Sequence, residues 1–234
     1  MPGTKRPAVW PVVLMLGMVL TAGYAAAAAR PDPAHPLAAF LDGLQTLRAD
    51  FAQSVVDDRG QVVQKSRGTL YLERPGRFRW DYQEPPELIV ADGKRLWFYD
   101  SGLEQVTVRP LEQGLGDLPV ALLTSTRSVE TRFHIRDLGI GDGLHWLRLI
   151  PRTKGSGFDW MRLGFRGDLL VRMQLRDSLG QTTRIAFTQV QRNPKLDPKL
   201  FQFTPPPGVD VIGNPGPVPG RPASGGAPSS TNPR

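Results

Sequence analysis

Cysteine is absent from this chain of 234 residues. Its absence excludes disulfide bonds, metal sites built from thiolates, and attachment of a lipid to a cysteine behind a leader. Histidine is scarce, since His35, His134 and His145 are the three present and they show no metal-ligand spacing. The sequence therefore predicts no metal site and gives the histidines structural roles.

Motifs for catalysis and nucleotide binding are missing as well. The chain has neither the G-x-S-x-G turn of a serine hydrolase nor the G-x-x-x-x-G-K-[ST] loop that holds phosphates, so ATP is not used. Glu84 and Glu87 flank two prolines and leave an envelope sugar hydrolase open as an alternative, although two such carboxylates more simply solvate a turn. We predict that the protein is not an enzyme.

The N-terminus has the three parts of a secretory signal peptide. Lys5 and Arg6 supply positive charge, Val9 to Gly23 is apolar, and residues 24–29 are mostly alanine. An apolar run of this length is short for a membrane span, which needs about 20 residues. We predict cleavage after Ala27 or Ala29, with an uncleaved anchor as the alternative.

Composition divides the remaining chain into a domain over residues 30–213 and a tail over residues 214–234. Loss of residues 1–29 would lower the net charge from +7 to +5, which is mildly basic. The tail consists mainly of Pro, Gly, Ser and Ala, and its charged residues are Arg221 and Arg234. Such a segment cannot bury enough apolar surface to offset chain entropy, so we predict that it is disordered.

Removal of the tail should therefore leave the stability of the domain unchanged. We expect a chain ending at Gly213 to have the same melting temperature, within error, as the chain ending at Arg234, because the deleted residues lack core-forming side chains. Thermal unfolding of the two proteins checks this. A large fall in melting temperature would show that the tail packs on the domain.

The stretch from Gly68 to Leu111 predicts an antiparallel β-meander. Apolar and polar residues alternate at period two in three segments, which is typical of strands with one apolar and one solvated face. One apolar face carries Phe78, Trp80 and Tyr82, while Arg77, Arg79 and Asp81 point the other way; Leu96 and Phe98 likewise oppose Trp97 and Tyr99, and Val106 and Val108 oppose Thr107 and Arg109. Asp92-Gly93 and the Arg74-Pro75-Gly76 stretch have turn composition.

Further strands and short helices are predicted on both sides of the meander. Leu37, Phe40, Leu41 and Leu44 recur at helical spacing and indicate a helix of about three turns, and residues 118–123 indicate one or two short helices. Predicted strands cover Leu47–Val55, Gly68–Glu73, Arg132–Asp137, Leu144–Pro151, Trp160–Phe165, Leu169–Arg176 and Thr183–Gln191, with a helical turn and an edge strand within Leu196–Phe203. Residues Val62–Arg67 lead into the second of these strands. The pattern predicts a mainly β sandwich or barrel with short α-helices.

Two binding functions remain open on this pattern. Arg77, Phe78, Arg79 and Trp80 mix charge with aromatic rings, as single-strand nucleic-acid platforms do, but alternation places the arginines on the face opposite the rings, so we predict no nucleic-acid partner. The β segments also offer more large apolar side chains than one sheet face needs. A curved sheet under short helices can then enclose an apolar cavity, or hold an ordinary filled core.

Three motifs indicate a family. The runs RPGRFRWDY from Arg74, ADGKRLWFYD from Ala91 and LEQV from Leu103 strongly resemble the periplasmic outer-membrane lipoprotein carriers of Gram-negative bacteria, the LolA family. The similarity extends from about Leu37 to Val211. It implies an unclosed, strongly curved antiparallel β-barrel, covered by a lid of short helices, whose cavity takes the acyl chains of a lipoprotein. It also implies a periplasmic chaperone and carrier that uses no cofactor.

The same resemblance implies partners and site residues. A monomeric carrier of this family accepts acylated lipoproteins from an inner-membrane ABC transporter and passes them to an outer-membrane receptor. Arg74 matches the family's arginine that latches the lid, with the carbonyls of Leu41, Leu123 and Thr124 as its implied acceptors. Phe78 matches a position important for accepting cargo, and Trp80 matches a cavity wall.

Overall fold

The twelve strands in the described part of the chain form one sheet. The computed structural model describes residues 35–114, 120–125, 128–153 and 157–214. The strands are β1 (Thr46–Val56), β2 (Val62–Glu73), β3 (Arg77–Glu84), β4 (Pro86–Asp92), β5 (Arg95–Asp100), β6 (Gln105–Pro110), β7 (Phe133–Gly141), β8 (Leu144–Pro151), β9 (Phe158–Arg166), β10 (Leu169–Asp177), β11 (Thr182–Arg192) and β12 (Asp210–Ile212). The predicted signal peptide and nearly all of the predicted tail lie outside the described residues, so both remain predictions.

The sheet is open, with β12 and β7 at its two edges. Its order is β12-β6-β5-β4-β3-β2-β1-β11-β10-β9-β8-β7. Two antiparallel meanders, β1 to β6 and β7 to β11, therefore join where β1 pairs with β11. The exception to antiparallel pairing is β12, which runs parallel to β6. The mainly β class and the unclosed, curved barrel are confirmed.

One face of the sheet carries the main core. Alternate residues of β1 to β3 and β8 to β11 are buried on this concave face, among them Leu47, Leu70, Phe78, Leu147, Leu163 and Ile185. The burial pattern departs from the sequence prediction at the end of β1. The register slips between Val55 and Val56, so Val56 is buried where alternation predicted Val55.

A second apolar cluster lies on the opposite face of β4 to β6. Val90, Trp97, Val106 and Val108 form it together with Val209. The prediction of one apolar and one solvated face was therefore wrong for β5, where Leu96 and Trp97 are both buried, whereas β6 alternates as predicted. The C-terminal segment covers the outer side chains there: Phe203 packs 5.6 Å from Trp97 between ring centroids, and β12 then pairs with β6. Because β12 has three residues and follows the prolines at 205–207, its sequence carries no recognisable strand pattern.

Three short helices and a 3-10 turn lie over the concave face, and we call this group the lid. They are α1 (Pro36–Leu41), α2 (Leu111–Gly114), α3 (Ala121–Thr124) and the 3-10 turn Val129–Thr131. Helix α1 is half the predicted length, because the chain turns extended at Asp42. The prediction of helix within residues 118–123 is confirmed by α3, while 118 and 119 lie outside the described residues. A 3-10 turn, Pro198–Phe201, stands where a helical turn was predicted. Within the described ranges, no helix is long and apolar enough to cross a membrane.

Candidate functional site

The predicted cargo-binding residues lie on the concave face of β3. Phe78 is fully buried between its cross-strand neighbours Leu72 and Ala91. Trp80 is 4% exposed and lies opposite Leu70 and Ile89. Because side chains two residues apart share a face of a strand, these two rings belong to one apolar wall under the lid.

Trp80 is part of a cluster of three aromatic rings. The Phe51 ring lies 5.1 Å from Trp80 and 5.1 Å from Tyr82 between centroids, in edge-to-face geometry each time, and Trp80 stacks on Tyr82 at 6.2 Å. Burial, and then the charge of Glu87, raise the pKa of the Tyr82 hydroxyl, so the phenol stays neutral. The cluster therefore gives the concave face a large uncharged aromatic surface.

Side chains of the lid occupy the space above this wall. Leu37 and Phe40 from α1 and Leu122 and Leu123 from α3 are all at most 3% exposed and belong to the main core. The Phe40 ring meets Phe165 of β9 at 6.1 Å. The resemblance implied a cavity between lid and sheet; in this closed arrangement the lid fills that space with its own side chains, as a ligand would.

Arg74 joins two parts of the lid. From the end of β2, its Nη1 donates to the carbonyl oxygens of Leu41, at 3.1 Å, and Leu44, at 3.4 Å, just beyond α1. Its Nη2 donates to the carbonyl oxygen of Ser125, directly after α3. Burial lowers the pKa of the Arg74 guanidinium, but a guanidinium remains protonated in proteins. Its charge is thus stabilised by the dipoles of backbone carbonyls at the end of α1 and just beyond α1 and α3.

The acceptors near α3 differ from those that the resemblance implied. Leu41 is an acceptor as implied, whereas Ser125 occupies the place expected for Leu123 and Thr124. The reason is local geometry: Ser125 is extended, with ψ of 140°, so its carbonyl leaves the helix direction. The carbonyl of Thr124 accepts instead from the amide of Gly76, at 3.3 Å. Arg74 and its own turn therefore both contact the end of α3.

A second arginine, Arg192 of β11, holds α1 and was missed by the sequence analysis. Its Nη2 donates to the carbonyl of Asp42 at 2.8 Å, and its guanidinium lies 5.7 Å from the Phe40 ring centroid. The neighbouring Asn193 side chain donates to the carbonyl of Gly43 and accepts from the amide of Gln45. These bonds tie α1 to the sheet, whereas Arg74 ties α1 to α3. No motif in the sequence marks Arg192, because its role follows from the β1–β11 pairing.

The polar residues proposed for other chemistry are engaged elsewhere. Arg77 pairs with Glu73 and Arg79 pairs with Asp81, on the side of β3 away from the rings. Glu84 pairs with Arg67 at 2.7 Å. His35 lies 3.2 Å from Glu130, and His145 lies 2.8 Å from Asp137. Across the described part of the chain, no three His, Asp or Glu side chains are placed to share a metal ion.

Comparisons with known proteins agree with this fold. The sequence profile of the family described as outer membrane lipoprotein carrier protein LolA matches residues 42–204. An outer-membrane lipoprotein carrier protein of Methylococcus capsulatus is 46% identical over 188 residues, which cover 80% of this chain and 90% of that protein. Another, from Nitrosospira multiformis, is 46% identical over 178 residues, covering 75% and 86%.

Solved structures give a more distant match. A LolA superfamily protein from Nitrosomonas europaea is 13% identical, covers 72% of this chain and 96% of that chain, and has a TM-score of 0.43. The family assignment thus depends on the sequence profile, which matches more than half of the chain, and on relatives above 40% identity. This chain belongs to the LolA family of outer-membrane lipoprotein carrier proteins.

Proposed function

We propose that this protein is a periplasmic carrier that shields the acyl chains of lipoproteins and consumes no substrate. The observation that carries the proposal is the Arg74 contact: one side chain holds α1 and α3 over an apolar wall through backbone carbonyls alone. Such bonds can break and reform without unfolding either helix. The lid can therefore leave the wall and be replaced by another apolar group.

The acyl chains supply the free energy for this exchange. Burying one CH2 group is worth about 0.8 kcal/mol, so a long acyl chain represents on the order of 10 kcal/mol. Lid side chains such as Phe40 and Leu122 contribute about 1.5–3 kcal/mol each when buried. Because the cargo has to displace these side chains, part of its binding energy is offset. The net affinity is therefore low enough for the cargo to be released.

Arg74 sets the balance between the two states. A hydrogen bond to a charged donor contributes about 1.5–3 kcal/mol, and the guanidinium makes three such bonds when the lid is closed. In the cargo-bound state these bonds are lost, and the emptied carrier regains them. The closed lid therefore favours delivery, since it is the state to which the protein returns after release.

The carrier cycle requires two partners in addition to the lipoprotein. We assign the supply of cargo to an inner-membrane ABC transporter, where the energy enters, and its acceptance to an outer-membrane receptor. The protein acts as a monomer in this scheme. The sequence features that support the periplasmic location are the N-terminal signal and the absence of cysteine behind it.

Displacement of an environment-sensitive hydrophobic dye tests acyl binding. The dye should bind the folded protein, and a triacylated peptide should displace it. The deacylated peptide should compete at least about tenfold less well, because two buried CH2 groups alone are worth about 1.6 kcal/mol. Equal competition by the two peptides would refute acyl binding.

A pair of tryptophan variants locates the binding wall. Trp80 lies on the concave face, whereas Trp97 belongs to the outer cluster, and both are almost fully buried. We expect Trp80→Leu to weaken displacement by the triacylated peptide and Trp97→Leu to leave it unchanged, provided that both variants fold. Equal effects would show that the acyl chains do not bind at β3.

A further inference from the structure

The outer face of the sheet carries a row of basic residues that the lid mechanism does not use. Cross-strand partners connect them directly, from β7 to β2 in sheet order: Arg136, Arg148, Arg162, Gln174, Arg184, Ser54 and Lys65. We call these seven residues the basic row. Five of them carry positive charge and none is acidic.

Like charges placed directly opposite each other on a sheet are destabilising. Arg136 faces Arg148, and Arg148 faces Arg162. Among the described residues, no carboxylate forms an ion pair with these three or with Arg184. Within the described residues, no ion pair therefore offsets this repulsion.

Trp160 makes cation–π contacts with two of the arginines. The guanidinium carbons of Arg148 and Arg162 lie 5.2 and 5.0 Å from the centroid of its ring. Nε of each is buried without a hydrogen-bond partner in the described structure. These contacts restrict the two guanidinium groups, whose planar shape is suited to bidentate binding of carboxylates.

Two cavities lie along the basic row. The first has a volume of about 530 Å³, and its lining includes Lys65, Arg67, Arg172 and Arg184 above the small residues Ala52 and Ala186. The second, about 250 Å³, lies beside it and shares Gln174. Acidic residues line them at two places: Glu84, which already pairs with Arg67, and Asp142 at the far end. The surface is thus a basic groove.

The groove ends in apolar side chains. Leu138 and Ile140 of β7, 46% and 83% exposed, line the second cavity together with Trp146.

The length of the groove follows from the strand spacing. Six strand spacings of about 4.8 Å separate Lys65 from Arg136, which gives a groove of about 29 Å. An extended polypeptide covers this distance with about nine residues. The dimensions therefore match a short strand-like segment.

We infer that this groove binds an extended acidic segment of a partner protein, with an apolar residue of that segment seated at Leu138 and Ile140. Charge complementarity selects an acidic partner. The chain's own tail cannot serve, since its charged residues are arginines. A groove with cavities fits a narrow chain better than a flat membrane surface. Because the basic row is on the face opposite the lid, the segment can bind whether or not cargo is present.

Fluorescence anisotropy of a labelled nonapeptide tests this inference. The peptide alternates glutamate with serine and ends in leucine, and it is titrated with the full mature chain at low and at physiological salt. We expect saturable binding that weakens with salt. Arg172→Glu with Arg184→Glu should lower the affinity at least about tenfold. The matched control, Lys195→Glu with Lys199→Glu, makes the same charge change on exposed sites elsewhere and should bind as wild type.

Further experiments distinguish an acidic segment from other possible ligands of the groove. Ile140→Ser should weaken the leucine-ended peptide and leave a serine-ended peptide unaffected. Binding of phosphatidylglycerol vesicles in preference to the peptide would overturn the inference in favour of a membrane surface. An equal loss of peptide affinity in the groove variant and in the lysine control would overturn the inference, because binding would then depend on net charge alone. If the double reversal does not fold, Arg184→Gln with Lys65→Gln replaces it, and unchanged peptide affinity there would equally overturn it.

Discussion

Arg74→Leu should retain cargo and fail to deliver it. The substitution removes three hydrogen bonds between the lid and β2 and adds apolar surface under the lid, so the open, cargo-bound state gains relative to the closed one. Loss of even one such bond, about 1.5 kcal/mol, shifts the equilibrium about tenfold. We expect transfer from purified carrier–lipoprotein complex to receptor-bearing membranes to slow by at least that factor.

Two further substitutions calibrate this result. The transfer rate of Arg74→Lys should lie between those of wild type and Arg74→Leu. An ammonium group cannot reach both the carbonyls of α1 and that of the segment after α3, as a planar guanidinium does. Arg77→Leu is the matched control. It removes the same charge three residues further along the chain, at the start of β3, but the Arg77 side chain pairs with Glu73 away from the lid. Wild-type transfer by Arg74→Leu, with normal cargo retention, would reduce Arg74 to an ordinary turn residue.

Gly68→Ala should give the largest loss of stability. The pairing of β2 with β3 slips between Arg67 and Gly68, and a Cβ atom at Gly68 would lie 1.9 Å from the carbonyl oxygen of Asp81 and 2.9 Å from the Phe51 ring. Since the nearer obstacle is backbone, the strands would have to separate. Overpacking typically costs about 1–3 kcal/mol, and a clash with backbone belongs at the upper end. We therefore expect a loss of about 3 kcal/mol, or roughly 6–12 °C in melting temperature for a domain of this size.

Gly141 provides the control for this prediction. A Cβ there would meet Trp146 at 3.7 Å, an ordinary contact, so Gly141→Ala should change the melting temperature little. The comparison is made by thermal unfolding of the two variants beside wild type. Equal melting temperatures for the two would show that the close approach of β2 to β3 at Gly68 is not required.

The sequence predicted most strands because alternation is a local signal. Leu144–Pro151 has the predicted bounds, and the rings of Phe78, Trp80 and Tyr82 share a face as expected. The outer cluster around Trp97 was not predicted, since its cover comes from residues about 100 positions later. Ser125 was missed for another reason: which carbonyl faces Arg74 depends on where α3 ends, within one residue.

Features that depend on strand register could not be predicted either. The basic row exists because six strand pairings align arginines that are far apart in the chain, and a shift of one residue in any pairing would move them to the other face. The same applies to Arg192, which reaches α1 because β11 pairs with β1. The family resemblance implied the role of Arg74 at the lid but not the contact of Arg192.

Hydrogen exchange of the lid amides shows whether the lid and the acyl chains compete for the concave face. The amides of Leu123 and Thr124 donate hydrogen bonds to the carbonyl of Val120, and the amide of Gly76 donates to the carbonyl of Thr124. We predict that a bound triacylated peptide lowers protection of these amides while β8 to β10 stay protected, and that Arg74→Leu lowers it without ligand. Unchanged or increased protection of the lid amides with acyl chains bound would show that the two do not compete.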